Sequence, residues 1–134
     1  MTLEYVSKSD SKVSVLAGCN TLVYSTLVAG GSGAIAATAN VVPELVVSIF
    51  DNAISGDYSK ALEAQNRLAP LRAAFDLGTF PSVVKEAANM IGLSAGHCRK
   101  PVSPLDTISR ESLRKILAGL GVVTLPSSRR TKKW

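Results

Sequence analysis

The stretch of residues 29–43, AGGSGAIAATANVVP, most constrains the fold of this chain. Its glycines allow a backbone turn that other residues would resist. Residues 34–39 form a short apolar run that is typical of a strand buried on both faces of a parallel sheet. Pro43 suits the first turn of a helix, where its missing N–H is not needed. A turn, a buried strand and a helix in this order indicate an α/β protein.

The rest of the chain predicts one more strand and a series of helices. Residues 13–17 are rich in β-branched side chains and end at Gly18, which predicts a strand. Pro70 is predicted to kink or break the helix that contains it, because proline removes a helical hydrogen bond. Helices are predicted over residues 2–7, 21–29, 43–55, 82–91 and 109–118, and a further helix is predicted to begin at a cap on Asp57 or Ser59 and to end at Gly78.

Charge is concentrated at the end of the chain. The formal net charge is +5, and four cationic side chains stand within the last six residues: Arg129, Arg130, Lys132 and Lys133. The remainder is therefore close to neutral. We expect this basic segment to be a mobile, solubilising tail and predict neither nucleic acid nor membrane as a partner, with a nucleic-acid or membrane patch as the alternative.

Residues 13–43 carry no charged side chain and are long enough to cross a bilayer. Asn20, Asn40 and the central glycines divide this run into pieces of strand and helix length. We therefore predict that this segment does not span a membrane. A membrane span is the alternative interpretation. Cys19 and Cys98 do not have the spacing of metal ligands. The first ten residues do not resemble a signal peptide. We therefore expect both cysteines to be reduced thiols in a cytoplasmic protein.

The sequence contains no convincing catalytic constellation. Gly31, Gly33 and Ala36 match the spacing of a dinucleotide fingerprint, but the predicted helix precedes them and the strand follows, which reverses the required order. His97 and Cys98 are too few to complete a tetrahedral metal site, so a structural loop is the better interpretation. We predict no metal, no cofactor and no catalytic residue.

A lysine whose amine is desolvated can form a Schiff base. Lys8 and Lys12 flank a polar loop, and Lys85 is predicted to lie on a helix surface or at a helix contact. None of them lies within an apolar strand.

Several stretches, in the same order, resemble the C-terminal portion of the dihydrodipicolinate synthase / N-acetylneuraminate lyase family. VSVLAGCNTL resembles the seventh barrel strand with its glycine-ended loop, and AGGSGAIAATANVVP resembles the eighth strand. GDYSKALEAQNRLAPL resembles the helix that follows, including its proline. The terminal helices and their loop are matched by FPSVVKEAANMIGL, CRKPVSPL and SRESLRKILAGLGVV.

This resemblance implies an α/β fold consisting of part of a (β/α)₈ TIM barrel, its last two strands, followed by a C-terminal helical bundle. Residues 1–56 would form the last βαβα portion of the barrel, residues 57–121 the helical extension and residues 122–134 the basic tail. The chain would be helix-rich overall. Family members are commonly oligomeric, so we expect self-association or pairing with an N-terminal barrel portion.

The family also implies a chemistry. Its members are class I aldolases in which a lysine on the sixth strand forms a Schiff base with pyruvate or a related 2-oxo acid. Lys8 stands only ten residues before Gly18, which leaves no room for the intervening helix. We therefore expect a lyase fragment that is inactive alone. The resemblance places Gly18, Cys19, Asn20 and Ile35 at the substrate-binding mouth, although many members have acidic residues after this glycine. Plain core packing is the alternative role of Ile35, and the two roles are compatible.

A second hypothesis comes from a different functional class. Two strands leave open sheet edges that can pair with another chain. The chain would then be a non-catalytic helical interaction module that self-associates or complements another polypeptide.

Overall fold

The computed structural model describes residues 2–10 and 12–124, where six helices and a two-stranded sheet are found. The predicted basic tail lies almost entirely at residues 125–134, outside the described residues. Short 3₁₀ turns occupy Asn20–Leu22, Ala37–Asn40 and Ala74–Leu77. The elements are α1 (Thr2–Lys8), β1 (Leu16–Ala17), α2 (Val23–Val28), β2 (Gly33–Ala34), α3 (Pro43–Ile54), α4 (Tyr58–Ala73), α5 (Ser82–Met90) and α6 (Thr107–Gly119).

The sheet is a parallel pair in which Leu16 is opposite Gly33 and Ala17 is opposite Ala34. The connection through α2 makes residues 16–34 the expected strand–helix–strand unit. The predicted first strand, residues 13–17, is too long, because regular pairing covers only its last two residues. Two neighbouring bonds extend the pairing: the N–H of Ser32 donates to the carbonyl of Val15 at 2.8 Å, and the N–H of Ile35 donates to the carbonyl of Ala17 at 2.9 Å.

The second strand is also shorter than predicted. Residues 34–39 were expected to form one strand, but residues 37–40 turn back as a 3₁₀ helix, with the N–H of Val41 donating to the carbonyl of Thr38 at 3.0 Å. Apolar composition alone does not distinguish a strand from a tight apolar turn. Here the turn buries Thr38 and brings the chain to α3.

Pro70 was predicted to kink or break its helix, and α4 is not broken there. Asp57 caps the helix as expected, accepting a hydrogen bond from the N–H of Lys60 at 3.1 Å. The helix then continues through Pro70 to Ala73. Because Pro70 has no N–H, the carbonyl of Asn66 loses its helical hydrogen-bond partner. Both residues are exposed, so water can hydrogen-bond that carbonyl.

One apolar core joins the strand–helix–strand unit to the later helices. α3 packs on α4, and α6 adds Leu113 and Leu117, both fully buried. Asp106 caps α6 by accepting a hydrogen bond from the N–H of Ser109 at 2.7 Å. None of the helices in residues 2–10 and 12–124 is long and apolar enough to cross a membrane. The largest fully buried core side chains are Ile49, Leu68, Leu71, Leu113, Leu117, Val23 and Val83.

Candidate functional site

A cleft of about 430 Å³ opens where β1 and β2 end. The carboxyl ends of parallel strands lie at one edge of a sheet, so the residues that follow β1 and β2 meet there. All four residues predicted from the sequence line this cleft. Its lining consists of Gly18, Cys19, Asn20, Ile35, Ala36, Ala37, Asn40, Arg72, Phe75 and Phe80.

Gly18 follows β1 directly and is exposed. A Cβ atom at this position would find no other heavy atom within 4 Å in the described structure. The packing of the described residues therefore does not require glycine here. The space above Gly18 is open toward the cleft and can accept a ligand or another segment.

Cys19 stands beside the hydroxyl of Thr21, with its Sγ 3.1 Å from Thr21 Oγ1. This side-chain hydrogen bond is the main reason that the pKa of the Cys19 thiol lies below its ordinary value, and the backbone of Thr21 acts in the same direction. Burial opposes the shift, while Arg72 adds a smaller lowering through a hydrogen bond and its positive charge. These contacts therefore stabilise the thiolate form of Cys19 relative to that of an ordinary cysteine.

Asn20 is the most buried of the predicted site residues. Its side-chain oxygen accepts a hydrogen bond from the Thr38 hydroxyl at 3.1 Å, and its backbone carbonyl accepts one from Gln65 Nε2 at 2.9 Å. Gln65 Oε1 in turn accepts from the N–H of Tyr24 at 3.0 Å. Asn20 therefore connects the turn after β1 with α4 and with the turn after β2.

Ile35 lies at the cleft and is not packed in the core. Core packing was the alternative interpretation of this residue, but its relative exposure is 73%. Within residues 2–10 and 12–124, β1 is the only strand beside β2, so no further strand shields this side chain. Its backbone N–H is bonded to Ala17, which fixes the residue at the cleft.

Three large side chains of the cleft were not identified from the sequence. Arg72 comes from the end of α4, with its Cζ 5.6 Å from the centre of the Phe75 ring. Phe75 and Phe80 form a tilted aromatic pair with ring centres 6.1 Å apart. These residues stand far along the chain from both strands, so only the tertiary packing brings them to the cleft.

Lys85 and His97 lie outside this cleft. Lys85 Nζ donates a hydrogen bond to the carbonyl of His97 at 2.9 Å, so this lysine ties α5 to the loop that follows it, as a helix-contact lysine would. No lysine lines the cleft among the described residues. The same part of the chain contains no group of three side chains able to hold a metal ion, and Cys19 and Cys98 are free thiols.

A helix-backed cleft at the carboxyl ends of parallel strands is typical of α/β proteins that bind small ligands at that edge. The chain belongs to the dihydrodipicolinate synthetase family, whose family model matches residues 1–120. It is 36% identical to the 4-hydroxy-tetrahydrodipicolinate synthase of Methanocaldococcus jannaschii over 85% of this chain and 39% of that protein. The corresponding enzyme of Methanosarcina acetivorans is 37% identical, with the same coverage.

Solved structures show the same fold relationship. The chloride-inhibited dihydrodipicolinate synthase of Acinetobacter baumannii, solved with pyruvate, has a TM-score of 0.84 at 27% identity and covers 91% of this chain and 42% of that one. YagE of Escherichia coli K12, also solved with pyruvate, has a TM-score of 0.74 at 33% identity, covering 81% and 37%. The chain therefore spans about two fifths of the length of these relatives.

Proposed function

We propose that the chain is the C-terminal portion of a Schiff-base aldolase that acts on pyruvate or a related 2-oxo acid. Residues 1–56 would supply the last two strands of the barrel, and residues 57–121 the helical extension that backs them. Membership of the family and the position of the cleft at the ends of β1 and β2 support this proposal. The pyruvate bound to the Acinetobacter baumannii relative supports the choice of substrate class.

The observation that carries the proposal is the composition of the cleft. In the complete enzyme, a lysine amine would add to the C2 carbonyl of the oxo acid, and loss of water would give an imine. Loss of a proton from C3 would then give the enamine that forms the new carbon–carbon bond to an aldehyde. The cleft lining holds no lysine among the described residues, so another segment has to supply the amine.

The described residues contribute the other side of such a site. Gly18 leaves open space, Cys19 and Asn20 form the wall after β1, and Ile35 presents its backbone and exposed side chain after β2. Their substrate-binding role is part of this proposal. We also infer a cytoplasmic location from the two free thiols.

Borohydride reduction in the presence of pyruvate tests the proposal. The isolated chain should show no covalent adduct by mass spectrometry, whereas a family member that contains the whole barrel should be labelled in parallel. Mixing the chain with a polypeptide that carries the remaining barrel strands of a relative should generate aldolase turnover. An adduct on the isolated chain would contradict the proposal.

The interaction-module hypothesis is favoured by a separate observation. In the described part of the chain β1 and β2 pair only with each other, so each presents an open edge. Three apolar side chains nearby are exposed: Val13, Leu16 and Ile35. Open apolar edges favour pairing with another copy or another chain. Light scattering on a gel-filtration peak would show association, and a strictly monomeric chain at high concentration would count against this function.

A further inference from the structure

A second groove lies between α3 and α4, away from the cleft at the strand ends. Its volume is about 280 Å³, and it shares no lining residue with that cleft. Two opposite charges line it: Glu44 from the first turn of α3 and Arg67 from α4. We infer that this groove binds a zwitterionic α-amino acid with a short apolar side chain. The inference goes beyond the proposed function and does not depend on it.

The two charges line the same groove and yet do not pair with each other. Neither side chain has a hydrogen-bond or ion-pair partner among residues 2–10 and 12–124. A ligand with a single charge would be attracted by one of these residues and repelled by the other. A molecule that carries both charges can instead bind each residue through its complementary end, so the charge pattern favours a zwitterion.

Ser48 determines which wall of the groove receives the ammonium group. It lies one turn after Glu44 on the same face of α3, and its hydroxyl donates a hydrogen bond to the Leu45 carbonyl at 2.8 Å. The Ser48 oxygen can therefore only accept a hydrogen bond from a ligand. Glu44 and Ser48 offer acceptors to an ammonium group, while the planar guanidinium of Arg67 can donate paired hydrogen bonds to a carboxylate.

The remainder of the groove is apolar, which selects the side chain of the ligand. A volume of about 280 Å³ lies just below the roughly 300–1,000 Å³ typical of pockets for drug-sized ligands, so it suits a smaller molecule. A branched aliphatic side chain can pack on the apolar residues while the charged ends of the ligand reach Glu44 and Arg67, which are exposed. The apolar lining residues are buried or half-buried: Val42, Leu45, Leu120 and Val122.

Titration of the full chain with L-leucine, followed by the NMR shifts of the groove residues, tests this inference. Binding should saturate with a Kd on the order of 1 mM, because both charged contacts are exposed to solvent. 4-Methylpentanoate lacks the ammonium group and 3-methylbutylamine lacks the carboxylate, so each should bind about tenfold more weakly or worse. Glycine keeps both charges without the apolar side chain and should also bind more weakly than leucine.

Two variants that each remove one charge assign the two walls. Glu44→Gln should weaken leucine binding by about tenfold but should not weaken binding of 4-methylpentanoate, because that probe has no ammonium group. Arg67→Gln should weaken the binding of both. Glu63→Gln and Arg99→Gln are the matched controls, because they remove the same charges from exposed positions outside the groove. Both controls should leave leucine binding unchanged.

Three results would overturn the inference: equal binding of leucine and 4-methylpentanoate, unchanged leucine binding by either Glu44→Gln or Arg67→Gln, or no saturable shift of residues 42–48 at leucine concentrations far above about 1 mM. The comparison of ligands uses the unaltered chain, so it tests the inference even if a variant does not fold. Borohydride trapping probes the other cleft, so its outcome leaves this inference unaffected.

Discussion

Thr38 donates a hydrogen bond from its hydroxyl to the side-chain oxygen of Asn20 over 3.1 Å, and both side chains are buried. Asn20 follows β1 and Thr38 follows β2, so this bond connects the two turns that form the cleft. The bond links the stability of the chain to the geometry of its candidate site.

Thr38→Val should reduce the free energy of unfolding by about 1–3 kcal/mol, because the buried Asn20 oxygen loses its donor. Urea denaturation measures the change. Adding Asn20→Ala to Thr38→Val should cost less than the sum of the two single substitutions, since both remove the same bond. Strict additivity would show that the two residues do not interact energetically.

The same substitution at a second buried threonine should have the opposite effect. Thr26 is fully buried, and its hydroxyl has no hydrogen-bond partner among the described residues. Thr26→Val keeps the shape and removes the unsatisfied hydroxyl, so the free energy of unfolding should rise by about 1 kcal/mol. Urea denaturation of both variants tests whether the free energy of unfolding rises in Thr26→Val and falls in Thr38→Val. A destabilised Thr26→Val would contradict the prediction that its unsatisfied hydroxyl costs stability.

Two glycines should differ sharply in their tolerance of alanine. A Cβ atom at Gly31 would lie 2.4 Å from Thr26 Cγ2 and 2.7 Å from the Thr26 carbonyl oxygen, which is backbone and cannot rotate away. Gly31→Ala should therefore destabilise the chain by about 1–3 kcal/mol. Gly18→Ala meets no atom within 4 Å and should change stability by less than about 0.5 kcal/mol, as thermal denaturation would show.

The cap of α6 should give the chain an acid-sensitive stability. Hydrogen bonds from the backbone N–H and the side chain of Ser109 lower the pKa of Asp106 below its ordinary 3.8. The Asp106 carboxylate therefore contributes its full share to the free energy of unfolding above pH 3.8. This contribution is lost as the pH falls through the lower pKa that Asp106 has in the folded chain.

Asp106→Asn should keep the cap but reduce the acid-dependent loss, because an amide caps without titrating in this range. Asp106→Ala should lose the cap and be less stable at neutral pH as well. Denaturation midpoints across the acidic range measure both effects. If Asp106→Asn left the pH dependence of stability unchanged, the Asp106 carboxylate would not be a source of the acid-dependent loss of stability.

The Cys19 thiol should ionise at lower pH than a free thiol. In a Cys98→Ser background, alkylation of Cys19 should therefore reach half its maximal rate below the ordinary thiol pKa of 9.0. Thr21→Val removes the main cause and should raise the midpoint, and Arg72→Gln should raise it less. A midpoint that does not respond to Thr21→Val would contradict the role of this hydrogen bond.

Local signals were sufficient to predict most helices. Pro43 begins α3, Asp57 caps α4, and α6 lies within a residue or two of its predicted bounds. These features depend on caps, proline geometry and helical periodicity, all of which act over a few residues. The ordered set of resembling stretches also identified the family that the comparison confirms.

The tertiary structure decided what distant segments do together. The resemblance of the sequence to the family placed Gly18, Cys19, Asn20 and Ile35 at one site, and their substrate-binding role stays a prediction. No sequence pattern indicated that Arg72, at the end of α4, would line the same cleft. It also predicted strands longer than those that form. A strand extends only as far as a neighbour pairs with it, and a cleft consists of whatever the packed helices bring beside it, so neither is encoded in a local pattern.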